Sequence, residues 1–205
     1  MSRLAPAILS VILLLGLDAT ATAQPRPDPD WPCVQRKVPT LTAGTIWSGP
    51  NLEEVGPWGS DFEAAALAQK LSSRRTRVEE IGSLVDDFAR KLGPDRAQRL
   101  TRVFAGSFEI INAERQRVIA GIERYARGQR GLAERIRDAA DKITAVKDSP
   151  AVATPKELED LETRFAWDKR IFEERSQSLQ YVCDTPVILE QRLFEIARQI
   201  QSRLS

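Results

Sequence analysis

The sequence predicts an all-α protein: a long antiparallel helical hairpin of coiled-coil type, with two shorter helices and an extended Pro- and Trp-rich N-terminal arm. Three observations carry this. Apolar residues recur every seven positions through two long segments, Ser/Thr-x-x-Glu capping signals stand at three helix starts, and prolines crowd the stretch from Gln24 to Gly59.

Residues 1–23 read as a signal peptide. Arg3 gives a positive start, Leu4 to Leu17 is apolar, and Ala21-Thr22-Ala23 is the small-x-small pattern that places the cut before Gln24. The apolar run is shorter than the ~20 residues a membrane-spanning helix needs, and no Cys follows the cut to take a lipid. The expectation is export to the periplasm with no stable membrane insertion afterwards. The formal charge of the chain is only +1, so neither a nucleic-acid arm nor an acidic tail is indicated.

Export makes the only two cysteines informative. Cys33 and Cys183 are expected to form a disulfide in an oxidising compartment; free thiols or bridges between chains are the alternatives.

Residues 24–59 form the arm. Pro25, Pro27, Pro29, Pro32, Pro39, Pro50 and Pro57 oppose helix, yet Trp31, Trp47 and Trp58 lie among them with several aliphatic residues. A disordered linker lacks such groups, so the arm is expected to lie on the helical body, stapled through Cys33. Only Gln24 to Asp30 reads as loose. The tryptophans are expected as docking anchors, in preference to platforms for sugar or peptide.

Residues 60–205 are the helical domain, with helices expected at about 61–73, 77–92, 95–148, 155–183 and 186–204. Capping boxes are read at Ser60–Glu63, Thr76–Glu79 and Thr154–Glu157, the last with Pro155 at the first helical position. From Ala97 the seam runs through Phe104, Ile111, Val118, Tyr125, Leu132, Ala139 and Val146. The returning seam is Leu158, Phe165, Phe172, Leu179, Pro186, Leu193 and Ile200. Gly128 and Gly131 are candidate interruptions of the first long helix, and a kink or one-turn break is expected near Thr185, ahead of Pro186.

The short loop near Asp148–Thr154 forces the long helices antiparallel. Residues whose numbers add to about 304 then lie level. This sets Cys183 near Gly121, Arg115 near Leu189 and Glu190, and Gln129 near Arg175. A buried polar cluster of Glu114, Arg115, Glu190, Gln129 and Arg175 is therefore expected. Its simplest role is to hold the helices in register; the sharper alternative is a polar ligand pocket.

The chain contains no histidine. That removes the Ser-His-Asp triad, the Cys-His pair and the His-containing metal sites, and neither a phosphate loop nor a dinucleotide fingerprint occurs. Adjacent carboxylates such as Asp86-Asp87 and Glu173-Glu174 diverge by about 100° on a helix and read as solvated surface. So does the basic turn Arg74-Arg75-Thr76-Arg77. No catalytic residue, metal or cofactor is expected.

The stretches Asp30-Trp31-Pro32-Cys33-Val34-Gln35-Arg36-Lys37-Val38-Pro39 and Asn112-Ala113-Glu114-Arg115 resemble a group of secreted Gram-negative bacterial proteins of unknown function. The resemblance implies export and helical form, and transfers no site residue. The function expected is that of a non-catalytic periplasmic interaction protein: an adaptor, chaperone-like factor or envelope-complex component binding another envelope protein or itself. Phe194, Ile110, Ile119 and Phe172 are candidates for its contact strip. The alternative is a small-molecule-binding protein or enzyme with a polar site under the arm.

Overall fold

The computed structural model describes residues 28–149, 151 and 153–204; the segment 1–23 expected to be a signal peptide and the first arm residues lie outside them. The described chain is helical, with no strand among these residues. Its helices are α1 (Phe62–Ser72), α2 (Ile81–Ala89), α3 (Arg96–Asp148) and α4 (Pro155–Gln201). The two long helices form the hairpin. With 53 residues, α3 extends about 80 Å at 1.5 Å per residue.

Both long helices are continuous. α3 passes through Gly128 and Gly131, where seam residues on either side keep the helix against its partner. The break expected near Thr185 does not occur, and the segments 155–183 and 186–204 are one helix containing Pro186. Proline removes the hydrogen bond to the carbonyl four residues earlier. Here that carbonyl belongs to Val182, whose side chain is on the solvent side, while Cys183, Pro186 and Leu189 are buried against the rest of the fold. Tertiary burial on both sides of the proline holds the helix through the local defect.

Of the three capping boxes, one forms as read. Thr154 Oγ1 accepts from Glu157 N at 3.3 Å, and Thr154 N donates to Glu157 Oε2 at 2.7 Å. The cap of α1 is instead one residue later: Asp61 accepts from Ala64 N at 3.1 Å, and Ser60 Oγ donates to Pro57 O within a single 3-10 turn. A carboxylate is the stronger acceptor, and Asp61 also meets Arg99. Thr76 opens no helix. Its hydroxyl donates to Lys70 O at 2.7 Å, closing the end of α1, and the chain enters α2 through a 3-10 turn at Val78–Glu80.

The core sits at the open end of the hairpin. There Leu71 and Leu67 of α1, Ile81 and Val85 of α2, Phe104 of α3 and Leu193 of α4 bury their side chains together. Towards the loop the structure thins to two helices. Beyond Leu132 on α3, and before Cys183 on α4, no described residue is buried. Ile136, Ile143, Leu158 and Phe165 keep the seam but remain half-buried, because a two-helix layer can cover only one side of each.

Candidate functional site

The arm is fixed at several levels. Cys33 and Cys183 are joined, with their Cα atoms 5.5 Å apart. Beside this staple, Lys37 Nζ meets Glu123 at 2.5 Å and Asp28 at 2.7 Å, and Asp30 pairs with Arg127 at 2.7 Å and with Arg130. The segment Asp28–Asp30, expected to be loose, is thus tied to α3. These cations hold the Asp28 and Asp30 carboxyls below the usual carboxylate range, and Asp28 in turn holds the Lys37 ammonium above its own.

The three tryptophans differ in depth. Trp47 is buried and stacks on Phe104, with ring centroids 4.2 Å apart, while its Nε1 donates to Pro50 O at 2.8 Å. Trp58 lies half-buried over Gly106 of α3 and donates to Glu109 Oε2 at 2.6 Å. A Cβ at Gly106 would fall 2.8 Å from that indole, so the close approach depends on glycine. Trp31 is half-buried and donates within the arm, to Gln35 O at 2.6 Å.

The polar residues of the seam separate into different groups. Arg115 is 2% exposed and donates through Nε to Glu190 Oε1 at 2.6 Å, while its buried Nη1 meets no hydrogen-bond partner among the described residues. Glu114 turns the other way and pairs with Arg74 at 2.8 Å. Gln129 is buried, and its Nε2 donates to Phe172 O and Ser176 Oγ, each at 3.2 Å. Arg175 is exposed and joins the hairpin only through its backbone carbonyl, which accepts from Tyr125 Oη. The five residues therefore do not form one cluster. Adjacent helix positions project about 100° apart, which sends Glu114 away from Arg115, and long Arg175 extends to water from the rim of the seam.

A second buried cation escaped the sequence reading. Arg192 of α4 donates to Leu71 O at 2.9 Å and Thr76 O at 2.7 Å, holding the α1–α2 turn on α4, and burial lowers its pKa. In the sequence it is one charged residue beside the Leu189–Leu193 seam, and only the returning turn makes that position internal. Asp61 and Arg99 were missed likewise. Two bonds of 2.6 and 2.9 Å clamp α1 to α3, and the guanidinium holds the Asp61 carboxyl below its usual range.

The strip expected at Phe194, Ile110, Ile119 and Phe172 is not one surface. Ile119 is buried, Ile110 and Phe172 are half-buried, and only Phe194 is largely exposed. Other exposed apolar side chains are spread over the arm, α1 and α4, and of these Trp167, Tyr181 and Ile188 lie along one face of α4, while Val34 and Phe62 stand apart from it. Trp167 is 61% exposed on a helix where the seam already has a partner on the other side. An open groove of about 460 Å³ also lies under the arm, between Leu52, Trp58, Phe108 and Asn112. Among the described residues no group of His, Cys, Asp and Glu is arranged to hold a metal ion, and no helix is long and apolar enough to cross a membrane. No protein-family model, curated protein or solved structure matches this chain.

Proposed function

We propose that this is an exported, non-catalytic interaction protein of the periplasm, in which the disulfide-stapled end is a rigid base and the hairpin is the binding element. The observation that carries the reading is the outer face of α4, where Trp167, Tyr181 and Ile188 are each more than half exposed on a continuous helix. Isolated apolar residues on a surface need no explanation, but a row of them with two aromatics, on a helix already satisfied on its inner side, has the composition of a contact surface. Export is supported by the Arg3 to Ala23 pattern and by the Cys33–Cys183 bond. The resemblance to secreted Gram-negative proteins agrees with it.

The alternative of a polar ligand site at Arg115 is less well supported. Arg115 is sealed from solvent and Glu114 faces away, so no open pocket with convergent polar groups lies there.

The test is affinity capture from periplasmic extract of a Gram-negative host, using residues 24–205 with the disulfide intact. The bait is compared with a Trp167→Ala/Tyr181→Ala variant. Capture of a defined envelope protein, or of untagged copies of the chain, that is lost in the variant is expected. Equal capture by both baits would overturn the assignment of binding to α4.

A further inference from the structure

We propose that the groove under the arm binds a small organic cation, an amine or guanidinium carried on an apolar body. The groove, of about 460 Å³, lies between Leu52, Pro57 and Trp58 of the arm and the face of α3 that carries Phe108, Glu109 and Asn112. That volume is within the range of small-molecule sites. The groove shares no residue with the exposed face of α4, so the two assignments stand or fall separately.

The walls are held in place by the fold itself. Trp58 lies over Gly106, and its indole N–H donates to Glu109 Oε2 at 2.6 Å. Val55 is buried, and Arg102 Nε donates to its carbonyl at 2.8 Å. Gly56, at φ +70°, turns the chain from there to Pro57 and Trp58, a backbone conformation that favours glycine. The loop is thus fixed to α3 on both sides of this turn, and the groove is preformed.

The polar groups of the lining set the charge of the ligand. They are one carboxylate, Glu109, and the amides of Asn112 and Gln116, with no Lys or Arg among them. The indole of Trp58 occupies one oxygen of Glu109, and the carboxylate has no basic partner among the described residues. Asn112 Oδ1 is buried and accepts no hydrogen bond among those residues. Exposed Glu53 and Glu54 add negative charge on the loop side. Two cations flank the face. Arg102 is engaged by the Val55 carbonyl, and Arg117 projects about 100° round the helix from Gln116. An ammonium or guanidinium set against Glu109 would also lie beside the rings of Trp58 and Phe108. A carboxylate joined to aromatic walls favours an organic cation over a neutral molecule of the same shape.

Titration of the disulfide-bonded chain, residues 24–205, with benzylamine, benzyl alcohol and phenylacetate tests this. The readout is the indole N–H resonance of Trp58, identified by its loss in Trp58→Phe. Benzylamine should shift it saturably, with a dissociation constant of roughly a millimolar or below. Benzyl alcohol should bind about tenfold more weakly, and phenylacetate should not bind. Glu109→Gln keeps an acceptor for the indole and should weaken benzylamine about tenfold. Gln116→Glu, at an exposed position, should tighten it about threefold, and it decides alone if Glu109→Gln loses its helical circular dichroism. No shift with benzylamine, equal binding of the amine and the alcohol, or an affinity unmoved by these substitutions would each overturn the inference.

Discussion

Arg115 of α3 and Glu190 of α4 meet at 2.6 Å across the hairpin, with the guanidinium almost wholly removed from solvent and the carboxylate about one-third exposed. The pair lies where the thick core gives way to the two-helix extension, between buried Ile111 and Ile119 on its own helix. Removing Glu190 leaves a buried cation with no counter-charge, a loss of about 3–5 kcal/mol for a fully buried pair and less here because Glu190 reaches water. We expect Glu190→Ala to destabilise the protein by about 2–3 kcal/mol in urea unfolding. The double substitution Arg115→Leu/Glu190→Leu should recover most of that, since an apolar layer needs no desolvated charge. A neutral Glu190→Ala would show that the pair does not stabilise the fold.

The staple at Cys33 and Cys183 should act on stability and on the arm separately. The bond spans 150 residues of chain, so in the chain-entropy account its loss destabilises by about 4–5 kcal/mol. The arm has independent anchors on the core side, because Trp47 stacks on Phe104 and the Ser48 amide donates to Gln201 at 2.7 Å. Reduction should therefore open the chain around Arg36 and Lys37 to a protease of broad specificity such as proteinase K, while the Trp47–Trp58 segment stays protected. Mass spectrometry of a brief digest, with and without reductant, reads this directly. Simultaneous cleavage throughout residues 36–58 would show that the arm docks as one unit through its disulfide.

The tryptophans, alike in the sequence, should separate in energy. Trp47 is buried in the core, and truncation of a buried aromatic to alanine typically loses about 3–5 kcal/mol. Trp31, half-buried and bonded only within the arm, should lose far less. Gly106→Ala should displace Trp58 through the clash at 2.8 Å and expose its indole, seen as a red shift in emission. Equal effects of Trp31→Ala and Trp47→Ala in thermal unfolding would contradict this ordering.

How much of this was readable without coordinates depended on whether a feature was periodic or singular. The seam from Phe104 to Leu132, its return through Leu189 and Leu193, and the hairpin register that set Arg115 level with Glu190 all follow from spacing alone. Features that hang on one residue in a tertiary setting did not. Pro186 reads as a kink or one-turn break, but the burial around it is stronger than the local defect. Thr76 reads as a cap for α2, while its hydroxyl instead turns back to the Lys70 carbonyl in the last turn of α1. Arg192 reads as surface until the α1–α2 turn folds back onto it. The exposed residues on α4 are hidden for the opposite reason: the heptad pattern marks only the seam, and Trp167 lies on the far side of the helix.

Asp61 offers a pH test of how the short helices are attached. Its carboxylate caps α1 through Ala64 N and is gripped by Arg99 Nε and Nη2 of α3, so ionisation is favoured in the folded protein and its pKa is lowered. A carboxyl depressed on folding contributes stability that is complete above its unfolded pKa, near 3.8, and is lost as pH falls through the lower folded value. Stability should therefore hold from neutrality down to about pH 4–5 and then decline, with Asp86, held below its usual range by Arg203, contributing in the same window. Asp61→Asn keeps an acceptor for the cap but removes the charge that Arg99 grips. The variant should be about 1–2 kcal/mol less stable at pH 7 and should lose less on acidification than the parent. Parallel acid titrations followed by helical circular dichroism would show the two curves converging below pH 4; curves that stay parallel would place the acid sensitivity elsewhere.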